Sequence, residues 1–169
     1  MYADVLDIPV HRSSSYCMRT LRTEIEIGAS QELVWKVLTD FPNYSKWSSF
    51  INDIDGDPFL HSQITLTMTP PGQPIQKVKV KLLVVDRPHT LSWLGHIKNI
   101  PLLVDGEHTF AIVSLSENKS KLIHREDFRG LLVPILFPLY IKKHILNGFN
   151  IFNSELKTYC EKICIQSGS

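Results

Sequence analysis

The sequence predicts an α+β domain in which a curved antiparallel sheet of about seven strands wraps one long C-terminal helix, with two short helices after the first strand. Three observations predict it. Period-two alternation recurs in successive segments between residues 63 and 130. A helical signature separates these segments from an earlier alternating run. A three-and-four-residue apolar period takes over after Pro138. A sheet with one apolar face and a helix with one apolar stripe bury both when the sheet curls around the helix.

Each element follows in order. LRTEIEI (21–27) sets Leu21, Thr23, Ile25 and Ile27 against Arg22, Glu24 and Glu26, a half-buried strand. Gly28 ends it, Ser30 caps a helix through LVWKVLTDF, and Pro42 stops that helix. NYSKWSSF makes the second short helix, and DGDP (55–58) is a turn. QITLTMT (63–69), KVKVKLLVVD (77–86), TLSWLGHI (90–97), EHTFAIVSLS (107–116) and KLIHREDFRG (121–130) alternate as strands, parted by PPGQP, RPH and ENKS. Ile141, Ile145, Phe149, Phe152, Leu156, Tyr159 or Cys160, and Ile163 then form the stripe of a helix of about six turns. Residues 1–19 have no clean period and are expected to be an arm or an edge segment preceding one domain over 20–165.

Composition narrows the function. Hydrophobic residues make up 43% and charged residues 21%, and a net charge of +1 leaves no excess for nucleic acid. Cys17, Cys160 and Cys164 have neither metal-site nor disulfide-framework spacing, so no metal and a reduced, cytoplasmic setting are expected. No apolar run reaches the roughly 20 residues of a membrane span. GLLVPILFPLYI (130–141) is the nearest and holds two prolines. Walker, dinucleotide-binding, nucleophile-elbow and HExxH patterns do not occur, so no cofactor is expected, and any catalysis rests on acid–base groups and cavity shape.

One strand carries the functional question. In KLIHREDFRG the odd positions Ile123, Arg125, Asp127 and Arg129 are mostly charged and are expected to face water. Leu122, His124, Glu126 and Phe128 then face inward. A tight turn at Asn118 and Lys119 sets Phe110 beside His124 and His108 beside Glu126, with Trp93 inward on the adjacent strand. An inward Glu needs a partner or a proton. His108 and Glu126 are therefore either a satisfied core pair or the polar handle of an apolar ligand cavity.

The chain also resembles a family. TEIEIGASQELVWKVLTDFPNYSKWSSF carries Ile27, Ala29, Val34, Trp35, Val37, Leu38, Asp40, Phe41, Tyr44, Trp47 and Phe50 in the spacing that opens SRPBCC (START-like, birch-pollen-allergen-like) proteins. Gly106, His108 and Phe110, then His124, Glu126, Phe128 and Gly130, are similar to the signature of its polyketide cyclase/dehydrase branch, and Gly148, Phe149, Asn153, Leu156 and Lys157 match its C-terminal pattern. The resemblance implies a helix-grip fold with a cavity between sheet and helix that takes a small hydrophobic or aromatic molecule such as a polyketide, lipid or quinone. The alternative it implies is a cyclase or dehydratase with His108 and Glu126 as acid and base.

Every other candidate has two readings. Tyr44, Trp47 and Phe50 line a cavity mouth or dock a helix on the sheet. Trp93, Phe110, Phe128, Phe149 and Phe152 contact a ligand or fill the core. His124 positions a ligand carbonyl or fills the core, and Asn153 hydrogen-bonds a ligand or the backbone. Residues 130–141, followed by Lys142 and Lys143, touch a membrane or partner transiently, or cross buried under the sheet.

Overall fold

A computed structural model describes residues 18–70 and 72–167. The expected arm lies outside them save for its last two residues, and Arg19 already opens the first strand, β1 (Arg19–Ile27). Then come α1 (Gln31–Thr39), a 3-10 helix (Phe41–Lys46), β2 (Ile51–Asp55), β3 (Gln63–Met68), β4 (Gln76–Asp86), β5 (Thr90–His96), β6 (Asp105–Ser116) and β7 (Lys119–Arg129). A short helix α2 (Val133–Leu136), a π-helical turn (Phe137–Ile141) and α3 (Lys142–Ser167) complete the chain. The seven strands form one antiparallel sheet in the order β1-β7-β6-β5-β4-β3-β2, curled around α3 as expected.

Three local details differ from the sequence reading. β2 is a strand that alternation does not reveal. Its register with β3 shifts between Ile51 and Asp53, so the bulge sets its buried Ile51 and Ile54 three apart rather than two. Pro42 does more than stop α1: it lies in the opening turn of the 3-10 helix, which ends before Trp47. The β6–β7 turn is Glu117–Asn118, and Lys119 is already in the strand opposite Ser116. A shift between Ser114 and Ser116 absorbs the difference, and the expected partners, Phe110 with His124 and His108 with Glu126, are those observed.

The helical backbone starts at Val133, upstream of the expected Pro138, and tolerates both prolines. Pro134 and Pro138 stand in the opening turns of α2 and of the π turn, where a missing N–H is least costly. The buried stripe runs Val133, Phe137, Ile141, Phe149, Phe152, Leu156 and Cys160, with Tyr159 only half-buried. Gly148 lets Phe50 lie against the α3 backbone, since a Cβ there would collide with the Phe50 ring. The segment 130–141 is a buried crossover on one side only, because Leu131, Ile135 and Leu139 are exposed. Among the described residues no helix is long and apolar enough to cross a membrane.

The core has two parts. The larger gathers α1, the 3-10 helix, the inner face of β2–β7 and the C-terminal half of α3. A smaller cluster, built on Leu21, Val104, Phe128, Val133, Phe137, Ile141 and Phe149, closes one end of the grip.

Candidate functional site

Strand register arranges the inward side chains of β5, β6, β7 and β1 in rows. One row is Leu91, Phe110, His124 and Thr23. The next is Trp93, His108, Glu126 and Leu21. The third is Gly95, Gly106 and Phe128. Val80 and Val78 close over Gly95, but Gly106 leaves space beside Phe128, and the Glu126 carboxyl leans into it. A Cβ on Gly106 would stand 2.5 Å from Glu126 Oε1, so only glycine leaves room for this rotamer.

The polar members of the first two rows are connected. Asn153 of α3 donates through Nδ2 to Thr23 Oγ1 at 2.8 Å, and its Oδ1 meets His124 Nδ1 at 2.7 Å. His124 Nε2 lies 2.7 Å from His108 Nε2, and His108 Nδ1 lies 3.5 Å from Glu126 Oε2. Aromatic rings enclose both imidazoles. Phe149 stacks on His124 with centroids 3.7 Å apart, and Trp93 stacks on His108 at 4.9 Å. Phe110 contacts both, and Phe152 in turn stacks on Phe110.

This enclosure keeps the chain uncharged. Burial lowers the His108 pKa to about 3. Burial, and then the neighbouring His108, hold His124 well below its ordinary value, with the Asn153 hydrogen bond opposing in part. Burial, then the Asp127 carboxylate, push Glu126 up to about 8. The hydrogens are then assigned by elimination. Asn153 Oδ1 accepts, so His124 Nδ1 donates and His124 Nε2 is a lone pair. His108 Nε2 must donate to it, which turns the His108 Nδ1 lone pair toward Glu126. A protonated Glu126 carboxyl suits that lone pair. Glu126 is also the accessible end, with 16% of its side chain exposed against 7% for His108.

The other expected residues divide. Tyr44 is fully buried and donates its hydroxyl to the Leu38 carbonyl at 2.7 Å, so that hydroxyl is committed to the core. Trp47 packs between Tyr44 and Phe152 and borders an open cleft of about 310 Å³ beside Tyr159, while its buried Nε1 has no hydrogen-bond partner among the described residues. Phe50 docks on α3. Tyr44, Trp47 and Phe50 thus stand with the larger core, apart from the Glu126 row. Trp93, Phe110, Phe149 and Phe152 fill the expected cavity with their own rings. One expectation about the outer face fails: Asp127 is buried, not water-facing, because Thr20 on β1 donates to it at 2.6 Å and Arg125 pairs with it. A second cleft, of about 410 Å³, opens on that outer face over Ala111, Val113 and Ile123, lined also by the paired Arg22 and Arg125, and touches none of the expected residues.

Sequence reading missed two residues of the chain. Thr23 was legible as the polar member of an otherwise apolar inward set. Gly106 was visible only as part of a motif, because a glycine's role as vacated space appears once its neighbour is placed.

Residues 18–143 match the family model described as "Polyketide cyclase / dehydrase and lipid transport". The chain belongs to this family. No curated protein matches it. Several solved structures share its fold. A point mutant of norcoclaurine synthase from Thalictrum flavum in complex with a transition state analogue has a TM-score of 0.68 at 17% identity, covering 93% of this chain and 100% of that one. A START superfamily protein from Mycobacterium smegmatis gives 0.69 at 19%, covering 85% and 98%. The Zhui aromatase/cyclase from Streptomyces sp. R1128 gives 0.62 at 14%, covering 83% and 94%. At these identities the likeness is one of fold. Membership in the family supports hydrophobic ligand binding or cyclase activity for this polyketide-cyclase-family chain.

Proposed function

We propose that this family member binds a small hydrophobic or aromatic molecule, such as a polyketide, between the sheet and α3, with the ligand's oxygen against Glu126. The observation that carries this is the position of the Glu126 carboxyl, at the accessible end of the imidazole chain and leaning into the space over Gly106, where burial favours its protonated form. A neutral acid in an apolar setting donates to a carbonyl or phenol without the cost of burying a charge. Phe128 stands next to that carboxyl's inward position on β7, and Trp93 lies beyond His108 in the same row; both supply flat apolar contact. The rings now filling the grip give way at the smaller cluster around Phe128, where the cover is a short, twice-interrupted helical segment.

The test is native mass spectrometry of the purified protein against its denatured mass, followed by titration with aromatic polyketides. A mass excess in the native spectrum alone, or saturable binding weakened by Glu126→Gln or Phe128→Ala, is expected. The reading is overturned if the protein carries no co-purified molecule and shows no saturable binding across the panel.

A second reading has its own support in the His108–Glu126 contact. An acid that titrates near neutrality, backed by an imidazole, can protonate a departing hydroxyl or take a proton from carbon beside a carbonyl. A cyclase or dehydratase loses turnover in Glu126→Gln by about a hundredfold or more while retaining substrate affinity. A binding protein converts no substrate in either form.

A further inference from the structure

We infer that the loops at one end of the barrel, 97–103 and 130–143, form a single docking surface for an anionic lipid bilayer. The helical segment after β7 is apolar on two sides. Val133, Phe137 and Ile141 point into the smaller core cluster at four-residue steps. Leu131, Ile135 and Leu139 recur at the same step on the other side and are 62%, 60% and 77% exposed. A surface helix with one core to cover needs one apolar stripe, and the second stripe calls for a second apolar medium.

The second loop joins this stripe. Ile97, Ile100 and Leu102 are also exposed, and Leu102 has a positive φ of 70°. Leu131 and Leu132 donate backbone N–H groups to the Leu102 and Leu103 carbonyls at 2.9 and 3.0 Å. Gly130 permits that approach: its φ is +135°, and a Cβ there would lie 2.5 Å from Leu103 O. The fold therefore brings six exposed branched side chains from two segments to one end.

Charge selects the occupant. The two loops together contain Lys98, Lys142 and Lys143 and no acidic residue. All three lysines are exposed, and Lys142 and Lys143 follow Leu139 by three and four positions, on its flank of the helix. Apolar side chains at the tip with lysines behind them match acyl chains beneath anionic headgroups. A second copy of this chain would set lysines against lysines, so self-association is disfavoured. The purpose of the surface rests on the ligand reading above. Val133 and Phe137 pack with Phe128, two residues from Glu126, so a bilayer held there faces the short route to the site.

Flotation with vesicles of phosphatidylcholine alone, and with phosphatidylserine at about one part in three, tests this without any ligand. The wild-type chain is expected to float with the anionic vesicles. Ile135→Asp, Leu139→Asp and Leu102→Asp, all at exposed positions, are each expected to lower binding about tenfold or more. Lys142→Glu and Lys143→Glu should each lower it about fivefold or more on anionic vesicles only. Phe59→Asp, at an equally exposed aromatic in the β2–β3 loop, should float as wild type does. Circular dichroism confirms that each variant is folded. The proposal is overturned if wild type floats with neither vesicle, if Leu139→Asp floats undiminished, or if these substitutions dissolve a dimer and leave flotation unchanged. Glu126→Gln is expected to float normally, so a failure of the ligand reading alone leaves this result standing.

Discussion

The Nε2 atoms of His108 and His124 lie 2.7 Å apart, and only one of them carries a hydrogen. Because Asn153 Oδ1 claims the proton on His124 Nδ1, the two neutral rings are opposite tautomers, His124 protonated on Nδ1 and His108 on Nε2. Nitrogen-detected NMR of the imidazoles near pH 7 is expected to show this pair of tautomers. Two identical tautomers, or an imidazolium, would contradict the assignment.

The protonated carboxyl makes stability depend on pH in a defined window. Glu126 has a folded pKa of about 8 against an ordinary 4.5, so the folded chain holds a proton that the unfolded chain releases. That contribution is complete at low pH and is lost as pH rises through about 8. His108, lowered to about 3, acts oppositely: its contribution grows as pH rises toward its ordinary 6.5 and is constant above it. His124 has the same sign. Between pH 6.5 and 8 the Glu126 contribution therefore stands apart, and wild type should lose on the order of 1–2 kcal/mol across it relative to Glu126→Gln. Urea denaturation at several pH values measures this, and parallel profiles would refute the buried acid.

Asn153 ties three elements together, and its loss should be felt at each. Asn153→Leu strands the His124 Nδ1–H without an acceptor, at about 1–3 kcal/mol. Thr23→Val removes the acceptor of the Asn153 amide, at about 1–2 kcal/mol. Since both act on one hydrogen-bond chain, the double variant should lose less than the sum. Additive losses in chemical denaturation would mean that Thr23 and His124 are not coupled through Asn153.

Helix propensity and packing disagree at Gly148. An exposed helical Gly→Ala change gains close to 1 kcal/mol. Here the added methyl meets the Phe50 ring, which the surrounding core holds in place, so Gly148→Ala is expected to destabilise by about 1–3 kcal/mol net. Adding Phe50→Leu should recover part of the loss. Thermal melts of both variants beside wild type decide it, and a stabilised Gly148→Ala would count against the contact.

Much of this site was legible before any coordinates. Alternation in KLIHREDFRG turned Leu122, His124, Glu126 and Phe128 to one face, because a strand has only two faces and a period of two. A short turn then paired Glu126 with His108. The long apolar stripe required a helix beneath that face, which sufficed for the sheet-around-helix architecture. Parity held for Asp127 on the outer face, but its expected exposure did not, because Thr20 and Arg125 cover and satisfy it there. Strand β2 escaped notice because a bulge erased its period.

Local pattern assigned which side chains face inward, since that depends on neighbours along the chain. Which inward groups touch depends on strand register, helix rotation and ring packing between separate elements of the fold. Asn153 reaches Thr23 across 130 residues, while Phe149 covers His124 and Gly106 yields its place to Glu126 across only 25 and 20; all three arise from contacts between elements rather than within one. The same contacts exclude water, and so turn a row of ordinary ionisable side chains into a neutral hydrogen-bonded chain.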